Sequence, residues 1–105
     1  MTRVVLFESE PFFEKFVSET LRAEGFEVFT LDNPLDADFM INDIAADLVL
    51  YSYDSFASQW KEFNSKYPNK SLIVISTTQI PGDHVLIKPI SKACLLKKVY
   101  GMIEK

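Results

Sequence analysis

Hydrophobic residues fall along this chain in short blocks whose period alternates between that of a buried strand and that of an amphipathic helix. Arg3-Val4-Val5-Leu6-Phe7 is a continuous run of β-formers, which predicts a strand covered on both faces. Pro11 opens a helix, at a position where its missing N–H does no harm. Phe13, Phe16, Val17, Thr20 and Leu21 then recur at helical spacing until Gly25 supplies the C-cap. Glu27 to Leu31 is a second strand. Asn33 ahead of Pro34 marks a second helix start, with Ala37, Met40, Ile41 and Ile44 on one face. Asp47 to Tyr51 is a third strand. Phe56, Trp60, Phe63 and Tyr67, spaced by four, three and four, form the stripe of a third helix ending before Pro68-Asn69, and the stripe reads as core packing. Ser71 to Ile75 and Val85 to Ile87 are the last two strands. Ser91 caps a final helix whose Leu95, Leu96, Val99, Met102 and Ile103 form its buried side.

Strands alternating with helices, the strands apolar on both sides, predict an α/β fold: a doubly wound, parallel, five-stranded sheet. One crossover breaks the pattern. Only eight residues, Ser76 to Asp83, separate the fourth and fifth strands, and they include Pro81-Gly82. A crossover carrying a helix needs about ten to twelve residues, whereas eight extended residues reach about 26 Å, enough to run back along the sheet. The fourth helix is therefore expected to be missing or reduced to a loop.

Bulk properties narrow the function by exclusion. The 105 residues, 48% of them apolar, suit one domain spanning 1–105. A net charge of −4 and the absence of any Lys/Arg run speak against nucleic acid as a partner. Apolar stretches of four or five residues are too short to span a membrane, and the N-terminus lacks a signal-peptide pattern. With one cysteine, Cys94, and one histidine, His84, neither an internal disulfide nor a Cys/His metal centre can form, which points to a reducing cytoplasm. Cys94 lies among apolar helix residues and reads as buried packing.

In open α/β sheets, sites form beyond the carboxyl ends of the strands. Those ends carry Glu8-Ser9-Glu10, then Ser52 followed by Tyr53-Asp54, then Ser76-Thr77, then Lys88-Pro89. This order resembles a response-regulator receiver domain, which implies the flavodoxin-like receiver form of the sheet. The most specific matches are Asp47-Leu48-Val49-Leu50 leading to Ser52 and Lys88-Pro89 after the fifth strand, with Gly25-Phe26-Glu27-Val28 in support. The resemblance implies that an acidic pair for Mg²⁺ falls on Glu8 and Ser9, with Glu10 next. It implies further that the phosphoacceptor falls on Ser52, a phosphate-contacting hydroxyl on Ser76 and a phosphate-contacting amine on Lys88. An aromatic three residues before that lysine is replaced by Val85.

The departures from the pattern change the chemistry. Mg²⁺ prefers carboxylate oxygens in octahedral geometry, and serines at 9 and 52 remove two of them, so Mg²⁺ binding is expected to be weak or absent and no cofactor is expected. A serine hydroxyl is a weak nucleophile without a base, and His84 belongs at the far end of the fifth strand. Blander roles stand beside these. Glu8, Ser9 and Glu10 read equally as a solvated loop with first-turn acids; Ser52 as a space-filler bonded to backbone; Lys88 as an exposed lysine or as a partner of Glu8; Asp54 as the cap of the third helix, with the crevice as its alternative.

The function so implied is that of a degenerate receiver of a bacterial-type two-component system, acting as a phosphorylation-independent protein-interaction module and not as an enzyme. The alternative is a true phosphorelay receiver whose acceptor is a displaced acid, Asp54 or Glu8. A protein partner or fused output domain is implied, and a homodimer is possible through a sheet face left bare by the missing helix, with Ile80, Val85 and Ile87 as its apolar contacts.

Overall fold

The structure, a computed structural model, describes residues 2–33, 39–43, 45–67, 71–82 and 84–103. Five strands, β1 (Arg3–Phe7), β2 (Glu27–Leu31), β3 (Leu48–Ser52), β4 (Leu72–Ser76) and β5 (Val85–Ile87), form one parallel sheet in the order β2-β1-β3-β4-β5. The helices are α1 (Pro11–Ala23), α2 (Tyr53–Phe56), α3 (Trp60–Lys66) and α4 (Lys92–Ile103), with a π-helical turn at Phe39–Asp43 and a 3₁₀ turn at Ala57–Gln59. The second predicted helix falls partly outside the described residues: of its proposed face, Ala37 and Ile44 are not described, and Ile41 is fully buried.

Side-chain alternation sorts the strands onto two cores. Val4, Leu6, Val28, Leu48, Leu50, Ile73 and Ile75 pack with Val17 and Leu21 of α1 and Leu95 and Val99 of α4. Val5, Phe7, Val49 and Tyr51 pack on the opposite face with Ile41, Phe56, Phe63 and Tyr67. Burial of each such side chain contributes about 1.5–3 kcal/mol, which is why the continuous apolar runs become central strands. The predicted aromatic stripe is core, as expected, but the helix carrying it is broken into α2, the 3₁₀ turn and α3.

Helix α1 is closed at both ends. The Glu10 carboxylate accepts from the N–H groups of Phe12 and Phe13 (3.1 and 2.6 Å). Gly25, at φ 92°, lets the Phe26 N–H reach the Leu21 carbonyl at 3.1 Å.

The crossover from β4 to β5 contains no helix among its described residues. It does more than the sequence suggests. A Cβ added at Gly82 would lie 3.2 Å from a Val85 methyl, so the loop itself lies against β5. Val74 is buried, Ile80 and Val85 are partly buried, and Ile87, at 38%, is the large aliphatic that stands exposed among the described residues. The face expected to be bare is thus covered at Val74 and only partly covered at Ile80 and Val85. Cys94 also departs from expectation: it is exposed, because Leu95 and Val99 set the buried stripe of α4 and Cys94 lies a helical step to one side.

Candidate functional site

All five strands run in one direction, so their carboxyl ends open on the same side. The chain order reverses between β1 and β3, the place where a crevice forms in such sheets. Glu8 extends β1, its N–H donating to the Leu31 carbonyl at 3.1 Å, and Ser52 closes β3 alongside. Lys88 follows β5, its N–H donating to the Ser76 carbonyl at 2.8 Å.

Glu8 is a buried carboxylate whose oxygens are both engaged. Oε1 faces the Lys88 ammonium at 3.3 Å. Oε2 accepts from the Ser55 hydroxyl at 2.7 Å and from the N–H groups of Ser9 and Glu10 at 3.0 and 3.1 Å. The Glu8 side chain is 0% exposed and that of Lys88 only 16%. Taking two charges out of water costs several kcal/mol per ion, so this pair persists because hydrogen bonds satisfy the rest of the carboxylate. The Lys88 ammonium also lies 4.2 Å from the centre of the Phe13 ring, an apolar lid that attracts the cation.

Ser55 ties the serines together. Its oxygen accepts from the hydroxyls of Ser9 (2.8 Å) and Ser52 (3.1 Å) while its proton goes to Glu8. Ser52 is fully buried and bonds this side chain, where backbone bonding was expected. Sequence reasoning missed Ser55. The available signal was its helical position three residues after Ser52, one turn on and facing back over the strand end.

Asp54 is the second carboxylate of the crevice, and it does not cap the helix. α2 starts at Tyr53, so Asp54 already lies inside the first turn, and its side chain projects towards β4. Its oxygens accept from the Thr77 N–H at 2.9 and 3.1 Å and from the Thr77 hydroxyl at 3.1 Å. The Ser76 hydroxyl makes a longer contact at 3.5 Å, and the Lys88 ammonium lies 3.8 Å away. Ser76 is fully buried and also accepts from the Thr78 N–H at 3.0 Å, which folds the residues after β4 around the carboxylate.

The crevice therefore brings together Glu8, Ser9, Ser52, Ser76 and Lys88, takes in Asp54 at the location read as its alternative, and adds Ser55 and Thr77. Glu10 stands apart as the cap of α1. Beneath the crevice, Tyr51 packs against Phe56, Trp60 and Phe63, and its hydroxyl donates to the Phe56 carbonyl at 2.8 Å. Burial pushes its phenol up to about 12 from 10.0.

No protein-family model and no curated protein matches the chain. Solved structures do. A response regulator from Thermotoga maritima superposes with a TM-score of 0.83 at 17% identity, covering 100% of this chain and 99% of that one. The chemotaxis response regulator CheY4 of Vibrio cholerae gives 0.82 at 20% identity, covering 97% and 98%. An orphan response regulator of H. pylori gives 0.78 at 18% identity, covering 97% and 96%. The chain has the fold of response-regulator receiver domains, as its strand-end residues implied. No helix among the described residues is long and apolar enough to cross a membrane.

Proposed function

We propose that this chain is a receiver-like signalling module of a two-component system that works through protein contacts without being phosphorylated. The observation that carries this reading is Asp54. Its carboxylate is held by the Thr77 N–H, the Thr77 hydroxyl, the more distant Ser76 hydroxyl and the Lys88 ammonium. A hydroxyl after the fourth strand and a lysine after the fifth are the groups that, by resemblance, would contact a phosphoryl group. An internal carboxylate that holds them does the work of that anion permanently, with the acceptor aspartate replaced by the buried Ser52.

The donor set speaks against Mg²⁺. Ser9 and Ser52 offer hydroxyls where carboxylates would be needed, and both Glu8 oxygens are already bonded. Ser55 has a carboxylate at 2.7 Å, the geometry of a nucleophile and its base. Its oxygen is nonetheless taken by two neighbouring hydroxyls, and we read it as structural, in a protein that is not an enzyme. The partner we propose is a signalling protein or output domain in the cytoplasm, and Phe12, 85% exposed at the head of α1, gives it an apolar anchor beside the crevice.

The alternative is that Asp54 accepts a phosphoryl group itself. That reaction would have to take the carboxylate off Thr77. Intact mass after treatment with acetyl phosphate and Mg²⁺ separates the two: the proposal expects an unchanged mass, and a hydroxylamine-sensitive phosphate adduct on Asp54 would establish the alternative.

A further inference from the structure

The sheet ends in two edge strands, β2 and β5, and the chain treats them differently. On β5, the His84 carbonyl accepts from the Val74 N–H at 2.9 Å and the Lys88 N–H donates to the Ser76 carbonyl at 2.8 Å. Alternation then turns the backbone groups of Leu86 towards β4 as well, and those of Val85 and Ile87 outward. Among the described residues nothing hydrogen-bonds these outward N–H and C=O groups. The β2 edge, by contrast, is capped: the Arg22 guanidinium donates to the Val28 carbonyl at 2.9 Å. We infer that a second copy of this chain pairs along β5, the two strands antiparallel about a two-fold axis through Leu86, so that one sheet runs across both copies.

The backbone decides that the occupant is a strand, because a row of unpaired N–H and C=O groups is a template for strand addition. Charges, prolines and bulges usually blunt such an edge, and Val85-Leu86-Ile87 carries none of them. The crossover loop meets β5 at a Val85 methyl, where a Cβ on Gly82 would lie 3.2 Å away, so it lies against a side chain and leaves the outer backbone groups unbonded. Self-complementarity decides that the strand is a copy of this one. With Leu86 opposite its counterpart, Val85 of each copy stands opposite Ile87 of the other, and each such pair exchanges both of its N–H···O bonds. Val85 and Ile87 share a face, so the same pairs set β-branched side chains against each other and cover Ile87, the exposed aliphatic. A closed two-fold contact of this kind stops at the dimer.

Sedimentation and amide hydrogen exchange of the whole chain test this together. Between about 10 μM and about 1 mM the chain should pass from monomer to dimer. Exchange at Val85 and Ile87 should slow at least about tenfold across that range, while amides of the central strands β1 and β3 keep their rates. Ile87→Lys changes an exposed side chain, so the variant should keep its thermal midpoint and stay monomeric, because it sets a charge in the apolar pair. If that variant does not fold, the wild-type exchange decides alone. A chain that is monomeric throughout, a dimer whose Val85 and Ile87 amides exchange as in the monomer, or a folded Ile87→Lys that dimerises as tightly as the wild type would each overturn the inference. The outcome is independent of the Asp54 reading, because neither Val85 nor Ile87 belongs to the crevice.

Discussion

Replacing Lys88 by methionine keeps an unbranched side chain of similar length and removes the cation that faces Glu8, with its weaker contacts to Asp54 and the Phe13 ring. Removing one partner of a buried ion pair costs about 3–5 kcal/mol, because the other charge stays buried without compensation. Here the Glu8 carboxylate keeps the Ser55 hydroxyl and the N–H groups of Ser9 and Glu10 on Oε2, so the loss should fall at the lower end, about 3 kcal/mol. Glu8→Gln alone strands the ammonium in turn, with Asp54 at 3.8 Å as its remaining counter-ion. The double variant should then be more stable than the sum of the single losses by about 2 kcal/mol. Urea unfolding of the four proteins at neutral pH measures this, provided the slopes agree so that midpoints convert to stability. A cost below about 0.5 kcal/mol for Lys88→Met, with no coupling, is what a solvated surface pair gives, and it would refute the closed crevice.

Three further outcomes follow from the same geometry. Ser52→Asp places a second carboxylate in a fully buried position near Glu8; it should cost about 3 kcal/mol and yield no labile acyl phosphate with acetyl phosphate and Mg²⁺, and robust labelling would count against the account. Ser55→Ala should cost about 1–3 kcal/mol by chemical denaturation, since it takes a donor from Glu8 and leaves the hydroxyls of Ser9 and Ser52 without their acceptor. Tyr51 makes stability depend on alkaline pH: the fold binds its proton more tightly than the unfolded chain, so its share is intact below pH 10 and is lost as pH rises through about 12. The wild type should accordingly lose about 2–3 kcal/mol relative to Tyr51→Phe across that window, and parallel curves would contradict the assignment.

The sheet was legible because each strand is a continuous apolar run between turn residues, and the alternation with helices makes it parallel; the order of its strands comes from the structure. The crossover loop was legible from length alone. What the sequence could not carry was direction. Asp54 at a strand-to-helix junction looks like any capping acid until helix α2 is seen to begin at Tyr53, which turns the side chain towards Thr77. Ser55 is an ordinary polar residue until Glu8 is found buried against it. Cys94 and Leu95 are adjacent and similar in character, and only the docking angle of α4 decides that one is exposed and the other is core. That the backbone at Gly82 passes close to Val85 is likewise something periodicity does not report.

Asp54 occupying an anion site made by Thr77, Ser76 and Lys88 is read directly by the Thr77 amide resonance. In the wild type, inorganic phosphate should leave that resonance unmoved. In Asp54→Ala the emptied donors should take up phosphate and shift it saturably. Equal phosphate shifts in both proteins, or none in the folded variant, would contradict the account.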